Sequence, residues 1–448
     1  MLDIAIPLII STGTWSVLHF VDRMFLTWYS QEAIAAAMPA GLLSFTITSI
    51  FIGTASYIGT FVAQYYGAKR YKRCGASLWQ GVYIALIGGT LQIILIPLAG
   101  PIFDFIGHGT EIKQHEITYF RILCLGATPA IASSTMSAFF SGLGKTRPVM
   151  WVNIAAMVFN LILDWILIFG HLGFPELGIA GAGIATTCAF FFNMIVYLIL
   201  LSHPSYSRKY ETIKGWPFEK RLFARVIRFG FPSGIQFFID MAGITFFVLL
   251  IGKLGTVSLA ATNIAFNIST LSFMPMIGTG IAISVLVGQR LGENRPEIAE
   301  RSTYSALHLA SVYICGIVLF YVLWPDLFVS AFSSRSDPLQ FGPIRDTTII
   351  LLRFVAFYSL FDAMSIIFSS ALKGAGDTRF VMIIVILVSI FVLMLPSYAL
   401  IVFFSKGTYG GWFCTTAYVV TLGIIFSIRF HKGKWKNMRV IERTGVIP

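Results

Sequence analysis

Twelve long apolar runs dominate this chain of 448 residues. A helix needs about 20 apolar residues to cross the hydrocarbon of a bilayer, and each run reaches that length. Hydrophobic residues make up 56% of the chain and charged residues only 12%, which excludes a cytosolic enzyme and a disordered chain. We therefore expect an all-α integral membrane protein with twelve transmembrane helices, at residues 6–28, 38–63, 78–100, 118–140, 149–170, 179–201, 230–251, 259–287, 303–325, 348–372, 379–404 and 411–430.

Positive charge is concentrated in alternate connecting segments. Of the 32 Lys and Arg residues, 24 lie in 64–77, 141–148, 202–229, 288–302, 373–379 and the tail from 429. Basic loops mark the cytoplasmic side, which predicts that both termini are cytoplasmic. The basic stretch 202–229 is expected to contact anionic lipid headgroups, and a nucleic-acid partner is not expected.

An internal repeat relates the two halves of the sequence. Gln64–Arg70 parallels Gln289–Arg295 at an offset of 225 residues, and Gly142–Arg147 parallels Gly374–Arg379 at an offset of 232. Each motif follows an even-numbered span, so the halves share one orientation and form a parallel repeat. The predicted organisation is an N-lobe of six helices, a basic cytoplasmic linker, a C-lobe of six helices and a cytoplasmic tail, at 1–201, 202–229, 230–430 and 431–448.

Four aspartates lie inside predicted spans, where an acidic side chain is costly and indicates function. They are Asp22, Asp164, Asp240 and Asp362. Asn160 and Asp164 are four residues apart and share one helix face, as do Ala182 and Thr186. At 1.5 Å per residue, Asp22, Asp164 and Thr186 all lie about 9–11 Å below the outer edge. They can converge on one pocket that opens outward, whose oxygen atoms suit a proton or a hard monovalent cation.

These residues also resemble a known family of transporters. Val21-Asp22, the Gln64…Gly67 loop, Tyr119-Phe120-Arg121-Ile122, the Asn160…Asp164 segment and the Gly178…Thr186 segment are similar to the MATE (multidrug and toxic compound extrusion) family, in its NorM-like branch. The resemblance covers essentially the whole chain. It implies a two-lobed secondary antiporter, not an enzyme, in the plasma membrane of a bacterium.

The resemblance also implies roles for particular residues. The expected cation or proton site comprises Asp22, Asn160, Asp164, the Ala182 carbonyl and Thr186, with Na⁺ as a possible metal ion there. Asp240 and Asp362 correspond to acidic residues of the C-lobe that serve coupling or substrate binding. No cofactor is expected besides the coupling ion, Na⁺ or H⁺. The expected partners are membrane lipids and organic cations or drugs, and the expected state is a monomer.

Two other functions remain open from the sequence. A flippase for lipids or lipid-linked oligosaccharides would share the two-lobed plan, but it predicts a cationic cavity, and few cations (Arg23, Arg121, Arg353) lie within the spans. An integral-membrane enzyme would need a cluster of nucleophile and base near one interface, which the seven His residues do not suggest.

Overall fold

The computed structural model describes residues 1–106, 109–332 and 338–442, and every regular element in these ranges is helical. The α-helices, numbered in chain order, are α1 (Leu2–Tyr29), α2 (Gln31–Ser56), α3 (Ile58–Gly67), α4 (Tyr71–Leu95), α5 (Ala99–Ile106), α6 (Thr110–Leu125), α7 (Ala127–Gly142), α8 (Thr146–Phe169), α9 (Ile179–Ser202), α10 (Pro204–Tyr210), α11 (Lys220–Gly252), α12 (Thr256–Gly292), α13 (Pro296–Leu323), α14 (Pro325–Val329), α15 (Pro338–Ala375), α16 (Thr378–Val388), α17 (Leu395–Tyr398) and α18 (Gly407–His431). Shorter elements are the 3₁₀ turns His171–Gly173, Ser330–Phe332 and Lys434–Asn437 and the π-helical stretches Ser389–Met394 and Ala399–Phe403.

The twelve predicted spans correspond one to one with helices that can cross a membrane. Within the described ranges, eleven helical segments are long and apolar enough, and the bent pair α6 and α7 supplies a twelfth. The prediction of an all-α integral membrane protein is therefore confirmed.

The fourth span bends by 46° between α6 and α7. Pro129 lies one turn into α7 and has no N–H for the carbonyl of Leu125, so the helical hydrogen bonds are interrupted there. The N–H of Gly126 donates to the carbonyl of Leu123 over 3.0 Å and so leaves the carbonyl of Ile122 free, which accepts a hydrogen bond from the hydroxyl of Thr187 over 3.2 Å. A side chain at Gly126 would crowd the same hydroxyl, so the bend is fixed by packing against α9.

The eleventh span contains the two π-helical stretches, which flank α17. Pro396 in α17 cannot donate to the carbonyl of Val392, which favours a wider turn just before it. Runs of π-helix are uncommon and often occur at functional sites. Ser389, the first residue of this irregular region, is buried.

The chain divides into two compact units. The N-terminal unit comprises Leu2–Phe238, Gly288–Asn294 and Arg439–Pro448, and the C-terminal unit comprises Ile239–Val287 and Arg295–Met438 together with Met1. In the N-terminal unit, α8 packs along both α1 and α9, and α2 packs on α6 and α7. In the C-terminal unit, α15 packs on α18 and α13 around the buried Trp412.

Two repeated motifs cross each other within the N-terminal unit. A side chain at Gly67 would collide with the carbonyl oxygen of Gln289, and one at Gly292 would collide with the carbonyl oxygen of Gln64. Each glycine therefore lies against the backbone of the other motif, and only a residue without a Cβ fits there. The side chain of Gln289 also donates to the carbonyl of Gly142 over 2.9 Å.

The tail returns to the N-terminal unit and is held there by an ionic cluster. The backbone N–H of Val440 donates to Gln64 Oε1 over 2.9 Å. The carboxylate of Glu442 accepts hydrogen bonds from Arg225 and from the hydroxyl of Tyr65, the latter over 2.9 Å. Two further arginines, Arg70 and Arg73, lie 3.6 and 3.8 Å from this carboxylate.

The Glu442 contacts predict a pH-dependent release of the tail. Burial alone would raise the pKa of Glu442, but its backbone hydrogen bond and those from Arg225 and Tyr65 outweigh burial and lower the pKa. A carboxylate with a lowered pKa stabilises the folded contact above its ordinary pKa, and the contribution is lost as pH falls through the lowered value. Glu442→Gln should therefore free the tail at pH 7, and acid should free it in the unmodified protein.

A spin label at Ile441→Cys in a cysteine-free background measures this release. The mobile fraction should rise in Glu442→Gln at neutral pH, and in the parent protein at pH values below about 4. Glu293→Gln is the control, because it removes an ion pair with Arg290 in the same unit without touching the tail. Equal label mobility in the Glu442→Gln protein and its parent at pH 7 contradicts the role of the cluster.

Candidate cation site

The site is built on one face of α8. Asn160 and Asp164 lie one turn apart and both are fully buried. Their face is turned toward α1 and α9, the two helices that pack along α8. Asp22 on α1 and Thr186 on α9 approach from these neighbours, so the face that the sequence predicted meets the side chain of Asp22 and the backbone of Thr186.

The amide of Asn160 joins these groups. Its nitrogen is assigned toward the acids, since the opposite assignment would set its oxygen against two carboxylates. In this orientation the nitrogen donates to Asp164 Oδ2 over 3.0 Å and to Asp22 Oδ1 over 3.2 Å, and the oxygen accepts from the backbone N–H of Thr186 over 3.2 Å. One side chain therefore spans three helices.

The start of α9 is shaped so that Thr186 can reach Asn160. Backbone hydrogen bonds from Leu177 and Gly178 to the last turn of α8 hold the two helix ends together, at 3.0 and 3.3 Å. A Cβ at Gly181 would lie 2.6 Å from the carbonyl oxygen of Leu167. Glycine at this position lets α9 start directly against α8, which sets Ala182 and Thr186 beside the acids.

Ala182 and Thr186 contribute oxygen atoms from α9. The hydroxyl of Thr186 donates to the carbonyl of Ala182 over 3.0 Å. Both oxygens keep lone pairs that can face a cation. The structure thus brings together all five residues predicted for the N-lobe site, and their role in binding stays a prediction.

Tyr119 is a sixth member of the site that the sequence reasoning missed. Its side chain lies beside that of Thr186 and near both Asp22 and Asp164. It comes from α6 and packs between α2 and α9, against Gly41 and Gly183. The available signal was its place in the Tyr-Phe-Arg-Ile motif, but a tyrosine in a span rich in aromatic residues gave no reason to assign it to an ion site.

The two carboxylates define what the site can hold. Asp22 and Asp164 interact directly through their side chains. No N–H or hydroxyl donor among the described residues reaches Asp164 Oδ1, so this buried oxygen needs a proton shared with Asp22 or a bound cation. Carboxylate, carbonyl and hydroxyl oxygens are ligands for hard cations. Within the described part of the chain no group of three His, Cys, Asp or Glu side chains is placed to hold a metal ion.

Arg23 follows Asp22 on α1 and is exposed at the protein surface. Arg121, another cation of the spans, donates to the backbone carbonyl of Ile96 over 3.3 Å. Arg23 lies close enough to Asp22 to interact with its carboxylate electrostatically.

The other two predicted residues lie in the C-terminal unit. Asp240 on α11 and Asp362 on α15 are close enough to interact electrostatically. The hydroxyl of Tyr418 donates to Asp240 over 3.4 Å, and Ser389, in the first π-helical stretch, donates to that hydroxyl over 3.5 Å. Tyr358 lies one turn before Asp362 and beside it. The unit therefore holds its own pair of acids, bordered by aromatic rings.

Comparison with known proteins identifies the family. The MatE family model matches residues 7–166 and 232–399. The chain belongs to the MatE family. The two matched segments start at the same separation of 225 residues as the Gln64 and Gln289 motifs, as expected for two copies of one repeat. The members of this family are transporters, so the chain is a multi-pass membrane transporter and not an enzyme.

Relatives support the NorM-like branch. The probable multidrug resistance protein NorM of Thermotoga maritima is 26% identical over 455 residues, covering 100% of this chain and 95% of its own. Multidrug resistance protein PmpM of Pseudomonas aeruginosa is 27% identical over 385 residues, covering 86% of this chain and 80% of its own.

Solved structures show the same fold. A MATE crystal structure in complex with MaL6 has a TM-score of 0.88 and 20% identity, and covers 98% of this chain and 96% of its own. A transporter of the MOP superfamily from Pyrococcus furiosus, described as having a binding pocket of reverse polarity, has a TM-score of 0.87 and 20% identity, and covers 98% of this chain and 96% of its own.

The Tyr119 contact gives a prediction for the site. Tyr119→Phe removes the polar hydroxyl beside Thr186 and the two acids, so the affinity for the coupling cation should fall about 3- to 10-fold, the equivalent of about 0.5–1.5 kcal/mol. Cation binding to the purified protein, by calorimetry or radiolabel, measures this change. Tyr321→Phe is the matched control, because its buried hydroxyl donates to the carbonyl of Ile268 in the C-terminal unit. Equal loss of cation affinity in both variants would show that Tyr119 acts through the fold alone.

Proposed function

We propose that the protein is a secondary antiporter that exports organic cations and aromatic drugs in exchange for inward Na⁺ or H⁺. The observation that carries the proposal is the close pair of the half-buried Asp22 and the buried Asp164, joined by the amide of Asn160. Two acids held together in a poorly polarisable interior repel each other unless a positive ion neutralises one of them. A site of this kind binds and releases one small cation as its surroundings change.

The family and its relatives support drug export as the process that inward movement of this cation drives. The relatives from Thermotoga maritima and Pseudomonas aeruginosa carry the name multidrug resistance protein. Membrane potential supplies about 2.3 kcal/mol per charge per 100 mV, which corresponds to about a 50-fold concentration ratio for a neutral drug. In this mechanism the cation enters from the outer side and binds the carboxylates, which favours release of the drug outward and return of the protein to its inward-facing state.

We place the protein in the plasma membrane of a bacterium, with both termini cytoplasmic and with one chain as the working unit. The orientation follows from the basic segments, which carry most of the positive charge. Two units within one chain suffice for alternating access, so no second copy is required.

Asp164→Asn should abolish coupled transport while the protein remains in the membrane. The amide keeps the size of the side chain and can still hydrogen-bond Asn160, but it has no negative charge with which to bind a cation. Everted vesicles with a cationic dye, driven in turn by a Na⁺ gradient and by a pH gradient, measure the loss and identify the coupling ion. Asp326→Asn is the control, because Asp326 pairs with Arg345 in an exposed salt bridge. Coupled dye transport by Asp164→Asn at the parent rate contradicts the proposal, as would transport of lipid-linked precursors in place of dyes.

The acids of the C-terminal unit should act on the substrate. A carboxylate bordered by aromatic rings suits an organic cation, through charge and cation–π contact. Asp240→Asn should weaken the binding of a cationic dye at least 10-fold and leave the binding of a neutral aromatic substrate within twofold. Fluorescence anisotropy of purified protein measures both affinities. If Asp240→Asn instead lowers the number of coupling cations bound, with both dye affinities unchanged, Asp240 serves coupling and the substrate role is wrong.

A further inference from the structure

A second polar cluster lies between the same three helices as the cation site. Asn153 on α8 donates to Ser11 on α1 over 2.6 Å. Asn193 on α9 donates to Asn153 Oδ1 over 3.3 Å, and the hydroxyl of Tyr197 lies 3.5 Å from the same oxygen. Ser11 and Tyr197 are buried, and Asn153 and Asn193 are half-buried. We call Ser11, Asn153, Asn193 and Tyr197 the inner polar cluster.

On each of the three helices, the inner polar cluster lies on the same face as the cation site, two or three turns away. Asn153 precedes Asn160 by seven residues, and Asn193 follows Thr186 by seven. Two helical turns correspond to about 10 Å along the axis. Ser11 precedes Asp22 by eleven residues, three turns on the same face of α1. Since α9 runs opposite to α1 and α8, all three displacements point toward the end of the unit that carries the basic loops.

The polar face of α8 continues beyond the cluster. Thr146, seven residues before Asn153, is buried at the first turn of α8 and donates to the carbonyl oxygen of Asp3 over 3.3 Å. Asp164, Asn160, Asn153 and Thr146 therefore mark one helix face from the cation site to the end of the helix. Small Ala156 lies on this face between the cation site and the cluster.

The chemistry of the inner polar cluster differs from that of the cation site. Its members are amides and hydroxyls, and none of the four carries a charge. Within the described residues, no donor reaches Asn193 Oδ1, although this oxygen is buried. An unsatisfied amide oxygen in such a place is costly unless water or an ion reaches it. Neutral oxygens can coordinate a cation briefly without holding it as carboxylates do.

We propose that the inner polar cluster is a relay station, at which the coupling cation and its water pause on the way from the cation site to the cytoplasm. The inference rests on the proposed function, since it takes Asp22 and Asp164 as the place where the cation is bound. It adds the route of release: through the N-terminal unit, between α1, α8 and α9. Because the station offers oxygen atoms, it lowers the barrier for the cation to leave the carboxylates. Because it carries no charge, it does not bind the cation tightly a second time.

Asn153→Leu tests the station through rate and affinity measured separately. Leucine has the same branching and the same number of side-chain heavy atoms as asparagine but no oxygen, so the turnover of coupled transport should fall at least 10-fold. Equilibrium binding of the coupling cation and of a cationic dye should stay within twofold, because the acids are untouched. Thr135→Val is the matched control, because Thr135 is a buried residue of the same unit whose hydroxyl bonds only its own helix, at Ile131. Turnover in Asn153→Leu equal to that of Thr135→Val overturns the proposal, and so does a loss of turnover that is fully explained by lost cation binding.

A second variant keeps the test independent of the packing of leucine. Asn153→Asp has the same shape and places a carboxylate at the station, which should hold a cation there. The purified variant should bind one more cation equivalent, Na⁺ or proton, than the parent, and its turnover should fall. An unchanged number of bound cations would show that no cation reaches Asn153.

Failure of the station and failure of the proposed function give different results. If Asp164→Asn stops coupled transport and Asn153→Leu does not slow it, the cation site stands and the relay station is wrong. If Asp164→Asn still couples dye export to an ion gradient, the proposed function itself is wrong, whatever Asn153→Leu does.

Discussion

The hydrogen bonds of one amide organise the N-terminal unit. Asn160 is fully buried and forms hydrogen bonds with the carboxylates of Asp164 and Asp22 and with the backbone N–H of Thr186 on a third helix. The amide can orient the acids but cannot neutralise them. In the proposed function, a small cation that the bilayer potential drives inward balances their negative charge. The rest of the unit serves to keep these groups at hydrogen-bond distance.

The glycines and the bent span show how this distance is kept. Gly181 lets α9 begin against the last turn of α8, and the break at Gly126 lets α6 turn beside α9, where Thr187 holds the freed carbonyl. Elsewhere in the unit, Gly67 and Gly292 allow two repeated motifs to cross backbone against backbone. Each of these positions couples helix packing to the geometry of polar groups. A methyl group at Gly67, Gly181 or Gly292 would meet backbone and move a helix, whereas one at Gly126 would first meet the hydroxyl of Thr187.

The sequence predicted much of this structure because its strongest signals are local. Hydropathy located the spans, and an acid inside an apolar run identified Asp22, Asp164, Asp240 and Asp362 without any knowledge of contacts. Helical spacing then placed Asn160 with Asp164. Tyr119 escaped because aromatic residues are abundant in every span, and the contact to Thr186 depends on the bend of α6. The return of Glu442 to the N-terminal unit and the π-helical stretches around Pro396 depend on tertiary packing, which no local pattern shows.

The most direct test of the account is whether Asp22 and Asp164 bind one cation as a single unit. Cation binding to the purified protein, measured for Asp22→Asn, Asp164→Asn and the double variant, decides it. The account predicts that one cation equivalent per chain is lost in either single variant and that the double variant loses no more. A contradictory result would be two independent losses, in which each single variant still binds a fraction of a cation equivalent per chain and only the double variant binds none. Such a result would show that the two acids do not share one site.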